Sequence, residues 1–146
     1  MPSLREFSKR ITLRGGLVAT RADVLTRQVA LAADQAVVVG TPVDTGRARS
    51  NWIAQIGSRA PSVIEPYAPG ELGSTKAQNT QAALDQAEGV IRGYLGGKGL
   101  SIYISNNVPY IQKLNDGSSA QAPANFVETA VMKAVAIISR GKLITD

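Results

Sequence analysis

From Leu17 onward, Val18, Ala22, Leu25, Val29, Ala32, Ala36 and Val39 recur at intervals of three and four residues, the period of one face of an α-helix. Leu17, Val24, Leu31 and Val38 repeat every seven residues beside them. The combined stripe is broader than a helix lying on one small core requires. Part of it, at Leu17, Val24 and Leu31, is therefore expected to face another subunit, with ordinary core packing as the alternative for each. Ahead of this stripe Ser3 and Glu6 stand at capping-box spacing and predict a short helix, which Gly15 and Gly16 are expected to interrupt. Gly40 and Pro42 end the long helix, because glycine accepts a left-handed C-terminal conformation and proline cannot continue the ladder.

The stretch "TPVDTGRARSNW", Thr41 to Trp52, then reads as a helix-to-strand corner. Asp44, Thr45 and Gly46 have turn chemistry. After them Ala48, Trp52, Ala54 and Ile56 alternate with Arg47, Arg49, Asn51 and Gln55, the period-two signature of a half-buried strand. Trp52 would anchor a sheet face while the arginines point away. Residues 57–79 hold Pro61, Pro66, Pro69, Gly70 and Gly73 and read as an extended loop. A helix returns at Thr80 with Leu84, Ala87, Ile91 and Leu95 on one face, "GGKG" breaks it, and "LSIYIS" alternates as a second strand. Pro109 holds Val108 extended, and Tyr110, Ile111 and Leu114 fall at helical spacing in one short turn closed by Asp116-Gly117. Pro123 leads into a last helix that places Phe126, Ala130, Ala134 and Ile137 on one face. The expected fold is α+β: a small antiparallel sheet against a long N-terminal and a C-terminal helix, with a loop and helical insertion between, in a single domain over 1–146.

Composition narrows what such a fold would do. The chain has no cysteine and no histidine, which removes the thiolate nucleophile, the commonest general base and the commonest metal ligands. Neither a catalytic residue nor a cofactor or metal is expected. No apolar run approaches the roughly 20 residues of a membrane span, and the place of synthesis is expected to be a reducing cytoplasm. The net charge of +5 is uneven, with eight Arg/Lys against four Asp/Glu in residues 1–50. A basic segment of this kind marks a nucleic acid or acidic partner, or only the solvated face of a helix.

Two stretches invite a chemical reading that their surroundings do not support. "GYLGGKGLS" has phosphate-loop glycines, but a P-loop needs a strand before them and a helix after, and here the order is reversed. Asp85 with Glu88, and Glu65 with Glu71, are paired carboxylates in segments with no sign of the burial that would separate their pKa values.

Taken together, "TPVDTGRARSNW", "YISNNVPYIQKLNDGSS" and "QAPANFVETAV" resemble the tail-completion, neck or head-to-tail joining proteins of tailed bacteriophages, the HK97 gp10-like group. The residues that carry the resemblance are Pro42, Asp44, Thr45, Gly46 and Trp52 in the first stretch, Pro109, Tyr110 and Gly117 in the second, and Pro123 and Phe126 in the third. The resemblance implies a non-catalytic virion protein, assembled in the host bacterial cytoplasm. It would form a homo-oligomeric ring, six copies favoured over twelve, between portal or adaptor and tail-tube proteins. Genomic DNA would pass through the lumen. Arg47 and Arg49 would then be guanidinium forks for carboxylates on an adjacent subunit or ring, or would pair within their own chain, and Tyr67 in the loop would join the interface. The alternative is a basic, sequence-independent DNA-binding protein.

Overall fold

Ser3 starts the first helix as its spacing to Glu6 dictates. Its hydroxyl accepts from the Glu6 amide at 3.3 Å, and the Glu6 carboxylate accepts from the Ser3 amide at 2.9 Å. In the computed structural model, which describes residues 3–140, this helix (α1, Leu4–Gly40) runs unbroken for 37 residues, about 55 Å at 1.5 Å per residue. Residues 1–2 and 141–146, the ends of the expected 1–146 domain, lie outside the described residues. The interruption expected at Gly15-Gly16 does not occur. Neither glycine has a neighbour that a side chain would meet, so the pair costs helix propensity, roughly 1 kcal/mol each, without a competing contact to turn the chain.

The architecture is mixed α+β and mostly helical. After α1 come a single helical turn (α2, Arg47–Ser50), a strand (β1, Ile53–Ile56), a helix (α3, Lys76–Ile91), a 3-10 turn at Gly96–Lys98, a second strand (β2, Ile102–Ser105), a short helix (α4, Ile111–Asn115) and the last helix (α5, Phe126–Arg140). β1 and β2 pair antiparallel with Ile53 opposite Ser105 and Ile56 opposite Ile102. The outer edge of β1 is closed by a side chain: Gln86 accepts from the Ala54 amide at 3.0 Å and donates to the Ala54 carbonyl at 2.8 Å.

A two-stranded sheet is not stable alone, and this one rests on α3 and α1. Ala54, Ala87 and Ile91 form one buried cluster, flanked by Ala30, Leu31, Ile102 and Ile104. Val37, Val38, Trp52, Ala83 and Ala130 form another. Alanines at the crossings let the helices approach closely, and the aliphatic composition finds its use there. α5 begins beside Gly40, whose Cβ position lies 3.6 Å from the Phe126 ring. It runs back along α1, bringing Val131 into one groove with Leu25 and Val29.

Three boundaries differ from the sequence reading, the first being the end of α3 at Ile91, which leaves Leu95 outside the helix. The strand expected from Arg47 begins only at Ile53, because Gly46, at φ +86°, starts a helical turn whose Ser50 amide donates to the Gly46 carbonyl at 3.0 Å. The alternation of Ala48 with the arginines is not an alternation of exposure: Ala48 and Arg49 are both buried. α3 begins at Lys76, four residues before Thr80, so the loop expected over 57–79 is irregular only as far as Thr75.

Candidate functional site

The Thr41–Trp52 corner is built around the end of α1. That helix has no basic residue in its last turn, and its terminal carbonyls carry the negative end of the helix dipole. Arg49 supplies the missing charge from α2. Its guanidinium donates to the Val39 carbonyl at 2.9 Å, the Thr41 carbonyl at 2.6 Å and the Thr80 hydroxyl at 2.8 Å. With 3% of its surface exposed, Arg49 does not face a neighbouring subunit; of the two expectations, pairing within the chain is the one realised. Burial without a carboxylate partner lowers its pKa from the ordinary arginine value. Trp52 completes the corner by donating its indole N–H to the Thr41 hydroxyl at 2.7 Å, and that hydroxyl in turn donates to the Val37 carbonyl at 2.6 Å. Arg47 is half-exposed and keeps a buried Nε with no partner among the described residues.

Sequence reasoning missed the residue that organises the other side of this corner, Asn79. It is fully buried. Its carbonyl accepts from the Ser50 hydroxyl at 2.9 Å and the Ala68 amide at 2.8 Å, and its amide donates to the Ala68 and Thr75 carbonyls. A side chain at Gly46 would collide with it, which adds a packing reason for glycine to the positive φ. Asn51 pins the preceding loop in the same way, through both backbone groups of Ile64, and Asp44 holds the tip by accepting from the Leu72 amide at 2.8 Å. The loop is therefore fastened to the body of its own chain. Tyr67, 43% exposed within it, has its pKa raised by burial and by the nearby Asp34. Nothing about Asn79 distinguishes it in the sequence from any polar residue in the first turn of a helix.

The three stretches that carry the resemblance meet at this corner. Gln121 clamps Val43 through its amide N–H and carbonyl, at 3.0 and 3.1 Å, and Asn106 donates to the Ala48 carbonyl at 2.8 Å. A cleft of about 230 Å³ between them is lined by Pro42, Asp44, Gly46, Arg47, Tyr110 and Gln121. Gly117, at φ +96°, turns the chain after α4. Pro109 and Pro123 are exposed at the bends, and Phe126 is buried beneath the end of α1. The cleft brings together one carboxylate, Asp44, one guanidinium, Arg47, and one phenol, Tyr110.

The candidate interface positions on α1 divide. Leu17 is 60% exposed and Val24 43%, while Leu31 packs on the Ala54–Ala87–Ile91 cluster and belongs to the core. Every residue from Ser3 to Ala22 is exposed. The body begins at Asp23, whose carboxylate accepts from the Gly96 amide at 3.0 Å. Deeper along α1, Asp34 is buried with Oδ1 lacking a partner among the described residues. Desolvation pushes its carboxyl up to about 7.

No protein-family model, curated protein or solved structure matches this chain. Among the described residues no group of three metal-ligating side chains comes together, and no helix is long and apolar enough to cross a membrane.

Proposed function

We propose that this chain is a structural virion protein of a tailed bacteriophage, one subunit of a ring at the neck that joins portal or adaptor to tail and lets the genome pass. The observation that carries the reading is the free half of α1. Some 28 Å of helix stands clear of the body with Leu4, Phe7, Ile11, Leu13, Leu17 and Val18 all exposed, a surface that a solitary molecule has no use for. Ring subunits have such a use, because each must bury a second surface besides its own core. The meeting of all three motif stretches at one joint supports the resemblance further, since residues far apart in sequence there serve one local structure. The reading assigns the chain no catalytic step and no cofactor, and six copies fit the symmetry of a tail.

Electron microscopy of intact particles, counting copies of this chain at the head–tail junction, tests it. The expected result is a closed ring at that level and unjoined heads and tails when the chain is missing. Its absence from every particle would overturn the reading.

A second reading, sequence-independent binding of DNA, has one observation in its favour. Arg5, Lys9, Arg10, Arg14 and Arg21 stand on the free half of α1 against Glu6 alone. Binding of that kind weakens steeply with salt as counterions are released, so a salt-titrated measurement on duplex DNA that finds no affinity at low salt removes it.

A further inference from the structure

We infer that the free half of α1 is an arm that packs on the outward face of α5 in a second copy of this chain. The inference deepens the ring reading by naming the contact, and it rests on that reading only for the biological setting.

The first argument is continuity. Leu4, Ile11, Val18, Leu25, Ala32 and Val39 stand seven residues apart and form one uninterrupted apolar row along the whole of α1. Around its C-terminal end, from about Val29 to Val39, this side of the helix is where α5 of the same chain lies. From Leu4 to Val18 the row is exposed, and beside α5 its members Leu25 and Val39 are still 37% and 53% exposed. The free half thus presents the surface that already receives α5 elsewhere on the same helix. The row is bounded by Arg10, Arg14 and Arg21 along one side, and a row of this kind is what a facing helix covers, while Leu13 and Leu17 stand exposed outside it.

The second argument is that α5 has a side to offer. Its inner residues Phe126, Ala130 and Ala134 are buried on α1, while Met132 and Val135 on its other side are exposed, Met132 at 67%. A helix apolar on nearly all sides is one that is covered on nearly all sides. The two surfaces also match in length: Leu4 to Val18 spans about 21 Å and the 15 residues of α5 about 22 Å.

Charge decides between α5 and another arm as the occupant. The arm holds five basic side chains against one acidic, four of the chain's five net positive charges. Two arms side by side would set a charge of +4 against +4, whereas α5 carries Glu128 beside Lys133 and Arg140, a net charge of +1 against the arm's +4. The contact is heterologous, arm on one copy and α5 on the next, so each subunit gives one and receives one, and the repeat closes into a ring when its rotation permits.

Two full-length variants test this. Phe7→Lys with Ile11→Lys disables the arm, and Met132→Lys with Val135→Lys disables the α5 face. All four side chains are exposed in the subunit, so helix content and melting should match the parent at dilutions where the parent is monomeric, which circular dichroism checks. By light scattering the parent is expected to assemble with rising concentration and each variant to stay monomeric. Mixed together, the two variants have one intact arm and one intact α5 face between them and should form a discrete one-to-one dimer. Variants that assemble like the parent, or a mixture that stays monomeric, would overturn the inference while leaving the chain's place in the virion intact. Assembly through the arm by a chain absent from every particle would do the reverse.

Discussion

The corner at Thr41–Trp52 and the arm at Ser3–Ala22 are both rich in arginine, and the chain treats the two in opposite ways. In the corner, Arg49 makes three hydrogen bonds to its own subunit and the Trp52 indole makes one. In the arm, the five cations are all exposed and none makes a salt bridge among the described residues. The difference teaches that residue type does not tell an interface arginine from a structural one. What decides is the position of unsatisfied backbone: the end of a 37-residue helix presents carbonyls that a guanidinium answers, and the middle of a helix presents none.

The comparison breaks most visibly at Arg49. Arg49→Glu sets a carboxylate against the carbonyls of Val39 and Thr41 in a buried site, and unfolding is expected to become easier by about 5 kcal/mol, measured by urea titration. A variant as stable as the parent would return Arg49 to the class of the arm arginines.

Asp34 sharpens the comparison from inside the body. Its folded pKa is about 7 against the usual 3.8, so the folded state holds a proton that the unfolded state has released between those values. Stability is therefore greatest below about pH 4 on this account and falls as pH rises through about 7, by on the order of 4 kcal/mol. Asp34→Asn should flatten that part of the stability profile, and a profile of unchanged slope would assign the pH dependence to other groups.

The smallest effect is expected in the arm. Leu17→Ser should change the melting midpoint of the isolated subunit by no more than its helix propensity allows, about 0.5 kcal/mol. A loss of 2 kcal/mol or more would mean that the arm lies on its own body.

Much of the fold was legible in the sequence because it rests on periods. The capping box at Ser3, the apolar period of α1, the alternation of β2 and the face of α5 all follow from side-chain spacing alone. Four-residue elements carry too little period to read, and α2 has the spacing of a strand because two arginines and two small residues alternate equally well on a helical turn. At the candidate site, the corner was legible as a turn with an anchoring tryptophan. The inward aim of Arg49 was not, since it depends on carbonyls that become unsatisfied only when α1 ends nearby in space. Asn79, Gln86 and Gln121 were invisible for the same reason. Each answers backbone groups brought to it by the fold from 11, 32 and 78 residues away.

Gly15 and Gly16 stand in the middle of the arm with nothing around them. The helix ahead of them is shorter than the roughly 12–15 residues that hold together unaided in water, and it has two of the weakest helix formers at its root. In a lone subunit that leading segment should therefore spend part of its time unwound, and its amides should exchange with solvent far ahead of those in the body. Meeting a partner would then do two things at once, covering the apolar row and completing the helix. Growth of an assembly would begin reluctantly and proceed readily once started.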